Sequence, residues 1–232
     1  MFAENNRPSF SGVYPVGDAA ALIQATTPEI TTLSPKFHPL HEITTRHLFR
    51  WVKEGLTGRY LLGLRGRDVA LTFLDLVSLR MIAVFRSYGL RAMEIRDAHD
   101  KLQEYRGWSH PFAMEPIWLS GLDIYVKENN IPLAVTRNWQ IAFEFINEFI
   151  GPVHHLLFND YELPTAWEPS PGIVLDPNVS FGEPCLRDTR IATQVLWALH
   201  SAGDPPERIA QAYKVPVSQV KSAIAWEDAL AA

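Results

Sequence analysis

One cysteine, Cys185, stands among 232 residues. It cannot close an internal disulfide, so nothing points to a disulfide framework or an oxidising compartment. No run of eighteen uncharged apolar residues occurs, so no membrane-spanning helix is expected. Residues 1–12, MFAENNRPSFSG, lack the apolar stretch of a signal peptide. The expectation is a cytoplasmic protein that does not contact a membrane. The chain also lacks G-x-S-x-G, a P-loop and G-x-G-x-x-G, so none of the usual nucleophile or nucleotide signatures speaks for an enzyme. His38-x-x-His41 lies in a proline-rich stretch without cysteine, and the adjacent His154 and His155 diverge on most backbones. No metal site, cofactor or catalytic residue is expected. Cys185, between Pro184 and Leu186, reads as a small buried hydrophobe.

Composition is that of a globular protein, 47% hydrophobic and 20% charged. Net charge is −5, unevenly spread: residues 1–106 carry 14 Lys+Arg against 11 Asp+Glu, and residues 107–232 carry 7 against 15. Within residues 44–67, Arg46, Arg50, Lys53, Arg59, Arg65 and Arg67 face only Glu54. Such a local cationic surplus is what phosphate contact needs, because basic side chains release condensed counterions. A solvated helix face has the same composition.

The apolar spacing predicts a helix over 16–23, a proline-rich loop over 26–42, and a helix opened by Thr44 and closed by Gly55. Leu48, Trp51 and Val52 form its apolar face, leaving Arg46, Arg50 and Lys53 outward. Two apolar runs around Gly63-Leu-Arg-Gly66 read as a β-hairpin with a basic tip. Helices over 72–88 and 90–105 follow, ended by Gly89 and by the His110-Pro111 break. Residues 117–119 and 123–126 read as a hairpin, 133–135 as a further strand, and 140–150 as a helix. The prolines at 164, 169 and 171 mark 163–172 as a linker. Beyond it come a short strand at 173–175, turns at 176–178 and 182–184, and three helices: 193–202, one capped by Asp204 with Pro205 in its first turn, and one capped by Ser218. The last two have the order of a helix-turn-helix.

The expected fold is therefore mainly α with short β elements: an N-terminal winged helix-turn-helix domain (1–106), a mixed α/β middle segment (107–168) and a C-terminal three-helix bundle (169–232). In that layout the basic helix enters the major groove and the basic hairpin follows a flanking strand. The candidate DNA-binding residues are Thr45, Arg46, His47, Arg50 and Lys53 on the helix, with Arg59, Arg65 and Arg67 on the wing.

Two sets of residues carry a resemblance. Tyr14, Val16, Asp18, Ala20 and Leu22, then Thr45-Arg46, Leu48, Arg50-Trp51 and Gly55-Leu56, resemble the DNA-binding domain of MerR-type regulators. The helix from Phe73 to Arg80, Tyr88-Gly-Leu and Glu94-Ile-Arg96 extend the match over about residues 12–106, with a long insert at 26–42. Ile173, Leu175-Asp176-Pro177, Gly182, Pro184, Thr189-Arg190-Ile191, Gly203, Ile209-Ala210, Tyr213, Ala223 and Trp226-Glu227 resemble a small prokaryotic domain found in VapB-type antitoxins. The pair of domains is similar to mycobacterial VapB antitoxins with a MerR-like N-terminus. That resemblance implies a PIN-domain ribonuclease toxin as partner and repression of the shared promoter DNA; a homodimer would match a palindromic operator.

Two other readings fit the residues. One is an interaction module that sequesters a nuclease without touching DNA, which the acidic 107–232 region suits. The other is a small-molecule-sensing regulator whose middle region binds an apolar ligand through Trp108, Trp118, Trp139 and Phe143.

Overall fold

A computed structural model describes residues 12–26, 43–57, 70–115, 117–120, 122–128, 131–141 and 155–231. Strand β1 (Val13–Pro15) leads directly into helix α1 (Val16–Ala25), and α2 (Thr45–Lys53) packs on α1. Strand β2 (Ala70–Thr72) pairs antiparallel with β1, Tyr14 opposite Leu71, and opens α3 (Phe73–Ser87). Thus 70–72, expected as one arm of the basic hairpin, pairs with the chain's first strand. Residues 58–69, and with them Arg59, Arg65 and Arg67, lie outside the described residues.

Helix α3 is the axis of the N-terminal region, with 14 of its 15 residues buried. A helix apolar nearly all round must be wrapped by neighbours, and its few polar groups must be satisfied internally. Thr72 caps it, its hydroxyl accepting from Asp75 N at 3.1 Å. Asp75 answers by accepting from Thr72 N at 2.9 Å, and its other oxygen lies 3.1 Å from His110 Nε2. Arg80, also buried, donates from Nη2 to Thr26 O at 2.6 Å, placing a cation at the carbonyl end of α1. Helix α4 (Ala92–Arg106) follows, ended by Gly107 at φ 71°.

The middle of the chain is a meander of β3 (Ile117–Ser120), β4 (Asp123–Glu128), β5 (Ile131–Ala134) and β6 (Gln140–Ile141), each antiparallel to the next. Residues 140–141 are therefore strand where a helix was expected; 142–150 lie outside the described residues.

A second four-stranded sheet, in the order β10-β9-β8-β7, is built from β7 (Leu156–Phe158), β8 (Pro164–Ser170), β9 (Ile173–Leu175) and β10 (Cys185–Leu186). The expected linker at 163–172 is an inner strand of this sheet. Its prolines are tolerated by position: Pro164 opens the strand, and Pro169 falls where the pairing with β9 shifts register between Trp167 and Ser170, so its missing N–H breaks no regular ladder. Trp167 and Ala166, both buried, supply the packing that outweighs the turn-like composition.

Helices α5 (Thr193–Ser201), α6 (Pro206–Tyr213) and α7 (Val217–Ala231) close the chain. Their starts differ slightly from expectation: Pro205 caps α6, with Pro206 its first residue, and Ser218 lies inside α7. These helices pack on one another but do not stand alone as a bundle. Thr193 N donates to Pro184 O at 2.9 Å, fastening α5 to the turn before β10, and α7 also packs against α1. The expectation of a mainly α protein ending in a three-helix bundle is thus corrected: among the described residues, ten strands in three antiparallel sheets make this a mixed α/β fold. Of the strands that went unexpected, β1, β6, β7 and β10 are only two or three residues long, too short for an alternation to show in the sequence. Among the described residues, no helix is long and apolar enough to cross a membrane.

Candidate nucleic-acid interface

The entry to α2 is set by local hydrogen bonds. Thr44 N donates to His47 Nδ1 at 3.3 Å, and Ile43 N donates to Gln24 Oε1 at 2.7 Å, tying the start of α2 to α1. Leu48 and Trp51 are buried on the inner face. At the far end, Gly55 adopts φ 71° and Leu56 N donates to Trp51 O at 3.1 Å, a left-handed stop that glycine makes without steric cost. Arg96 Nε, from α4, donates to Glu54 O at 2.7 Å.

With both ends fixed, the outer face presents Thr45, Arg46, Arg50 and Lys53, all exposed. Arg46, Arg50 and Lys53 stand at i, i+4 and i+7, one stripe about 10 Å long at the helical rise. None of the three forms an ion pair among the described residues. Arg96 adds an exposed cation at the C-terminal end of α2. Sequence spacing did not single it out, because its proximity to α2 arises only from the packing of α4. A cationic stripe on a helix fixed at both ends suits polyanion binding, since the backbone that carries the charges is already in place.

His47 is placed differently from its neighbours. It is half-buried, its Nδ1 is committed to the Thr44 cap, and its ring stacks against Trp51 with centroids 6.1 Å apart. It serves the helix start. The three arginines expected on the wing are outside the described residues, so the stripe on α2 is the part of the expected site that the structure displays.

The aromatics considered for a ligand site are dispersed. Trp108 lies under the Arg106 guanidinium at 4.9 Å, Trp118 faces Lys127, and Trp139 packs on Tyr105; Phe143 is outside the described residues. Cys185 is buried, and that burial raises its thiol pKa, with a hydrogen bond to Ser180 opposing. This is the state expected of a packing residue.

The two ends of the chain meet at Tyr14. Its hydroxyl donates to Gly182 O at 3.0 Å, 168 positions away. Burial first, and the Asp176 carboxylate second, push the phenol well above its ordinary range.

A family described as a protein of unknown function (DUF433) matches residues 173–226, from β9 into α7. No curated protein matches the chain. Among solved structures, the X-ray crystal structure of Rv2018 from Mycobacterium tuberculosis is similar at 15% identity, over 91% of this chain and 96% of that one, with a TM-score of 0.59. At that identity the likeness is one of fold.

Proposed function

We propose that this chain is the antitoxin of a type II toxin–antitoxin pair, which binds its own promoter DNA through α2 as a homodimer and neutralises a PIN-domain ribonuclease. The observation that carries the DNA-binding half is the stripe of Arg46, Arg50 and Lys53, exposed, without ion pairs among the described residues, and anchored at both ends. The MerR-like residues of the N-terminal region support the same assignment. The partner half is supported by the VapB-like residues from Ile173 to Glu227 and by the acidic balance of residues 107–232.

The test is a promoter gel shift and a co-expression rescue with the protein encoded by the adjacent reading frame. The wild-type chain shifts the DNA upstream of its own gene, and R46A/R50A does not at the same concentration. The adjacent protein alone arrests growth, and the wild-type chain restores it. Rescue without any promoter shift would favour the nuclease-sequestering reading.

A further inference from the structure

Where β1 and α1 meet the C-terminal region, a cleft of about 500 Å³ opens. Its lining mixes polar groups with apolar side chains, Val13 and Leu22 on one side and Pro184 and Leu230 on the other. The titratable carboxylates on its walls are Asp18, Glu183 and Glu227, and among the described residues the lining holds no Lys, Arg or His. Asp18 and Glu183 are exposed; Glu227 is half-buried and accepts from the Thr193 hydroxyl. Burial raises the Glu227 carboxyl above the ordinary range, the Thr193 bond opposes this, and the neighbouring Asp228 and Glu183 charges add to the rise. A cation brought into this cleft therefore relieves like-charge repulsion.

Phe181 stands at the rim, 86% exposed, an unusual position for a large aromatic. It sits in a left-handed turn in which Ser180, Phe181 and Gly182 take φ of 46°, 57° and 86°. A bulky residue at such a φ is held there by its surroundings, and here the clamp is visible. Gly182 is pinned beneath Tyr14, where a Cβ would come within 2.3 Å of the phenol oxygen. The fold thus fixes an exposed aromatic beside carboxylates and apolar side chains.

We infer that this cleft docks an arginine-bearing segment of a protein partner, the guanidinium stacking on Phe181 and pairing with Asp18 and Glu183 while flanking apolar side chains enter the cleft. Charge complementarity selects the occupant: a lining whose charged side chains are all acidic rejects an acidic peptide or nucleic acid, and an aromatic face beside carboxylates matches a guanidinium better than a simple ammonium. The inference rests on the partner-binding half of the proposed function and adds the surface that performs it.

Isothermal titration of the full chain with the purified product of the adjacent reading frame tests it. Phe181→Asn removes the stacking surface and places at this φ a residue that tolerates it. It is expected to bind at least about 30-fold more weakly, as loss of an aromatic anchor does, while its melting temperature stays level or rises. D18N/E183Q changes exposed side chains, so it keeps the fold and decides the matter should Phe181→Asn fail to fold. It is expected to weaken binding about tenfold and to flatten its salt dependence. Wild-type binding that both variants leave unchanged overturns this surface and leaves the partner reading standing. No binding by the wild-type chain overturns the partner reading and this surface with it.

Discussion

The cations on α2 and most of those in the C-terminal region are held in different ways. In the C-terminal region three of the five are tied to carboxylates, Arg187 to Glu168, Arg208 to Asp204 and Lys221 to Glu207, while Arg190 and Lys214 form no ion pair among the described residues. On α2, Arg46, Arg50 and Lys53 stand in the open without such partners among the described residues. The N-terminal region pairs buried groups, Asp75 with His110 and Arg80 with the end of α1, and on α4 it pairs Arg91 with Glu94 and Lys101 with Asp97 at the surface. The buried bonds stiffen the platform on which the α2 stripe stands. A cluster of like charges without partners repels itself and attracts a polyanion. The unpaired stripe on α2 is the feature on which the proposed DNA binding rests.

The comparison breaks most severely at Asp75. Asp75→Ala leaves His110 and the Thr72 amide without their buried acceptor and is expected to cost about 3 kcal/mol, read as a fall in the urea midpoint. DNA binding should fall in proportion to the folded fraction, since the stripe itself is untouched.

A smaller effect is expected from pH. Burial lowers the His99 pKa, the weak bond and charge of Asp100 oppose this, and His110 adds to the lowering. The unfolded chain therefore takes up a proton that the folded chain refuses, and stability falls as pH drops through about 6.5 towards the lowered value. Urea midpoints across that window should show the fall in the wild type and less of it in His99→Gln. Equal slopes would place the titration elsewhere.

The smallest effect sharpens the contrast. Replacing Arg187 and Lys221 with alanine removes the same charge as R46A/R50A but from paired, partly exposed sites. Each should cost at most about 0.5 kcal/mol in stability and leave promoter affinity unchanged.

Much of the N-terminal region was legible because its signals are local. Thr44 and Gly55 bracket α2, the apolar run closed by Gly89 marks α3, and the spacing of Arg46, Arg50 and Lys53 places them on one face without any tertiary knowledge. What failed depended on distant contacts. Strand β8 looked like a linker because its prolines are excused only by the register shift against β9. The exposure of Phe181 follows from a left-handed turn held by Tyr14, far away in sequence, and no pattern within residues 176–184 foretells it. Arg96 joined the cationic surface only through the packing of α4.

The salt dependence of promoter binding tests the central claim most directly. Plotted as log affinity against log salt, R46A/R50A should show a slope shallower than the wild type by about 2, one for each phosphate that is no longer neutralised. An unchanged slope, with both proteins folded, would mean that the stripe on α2 does not touch the phosphate backbone.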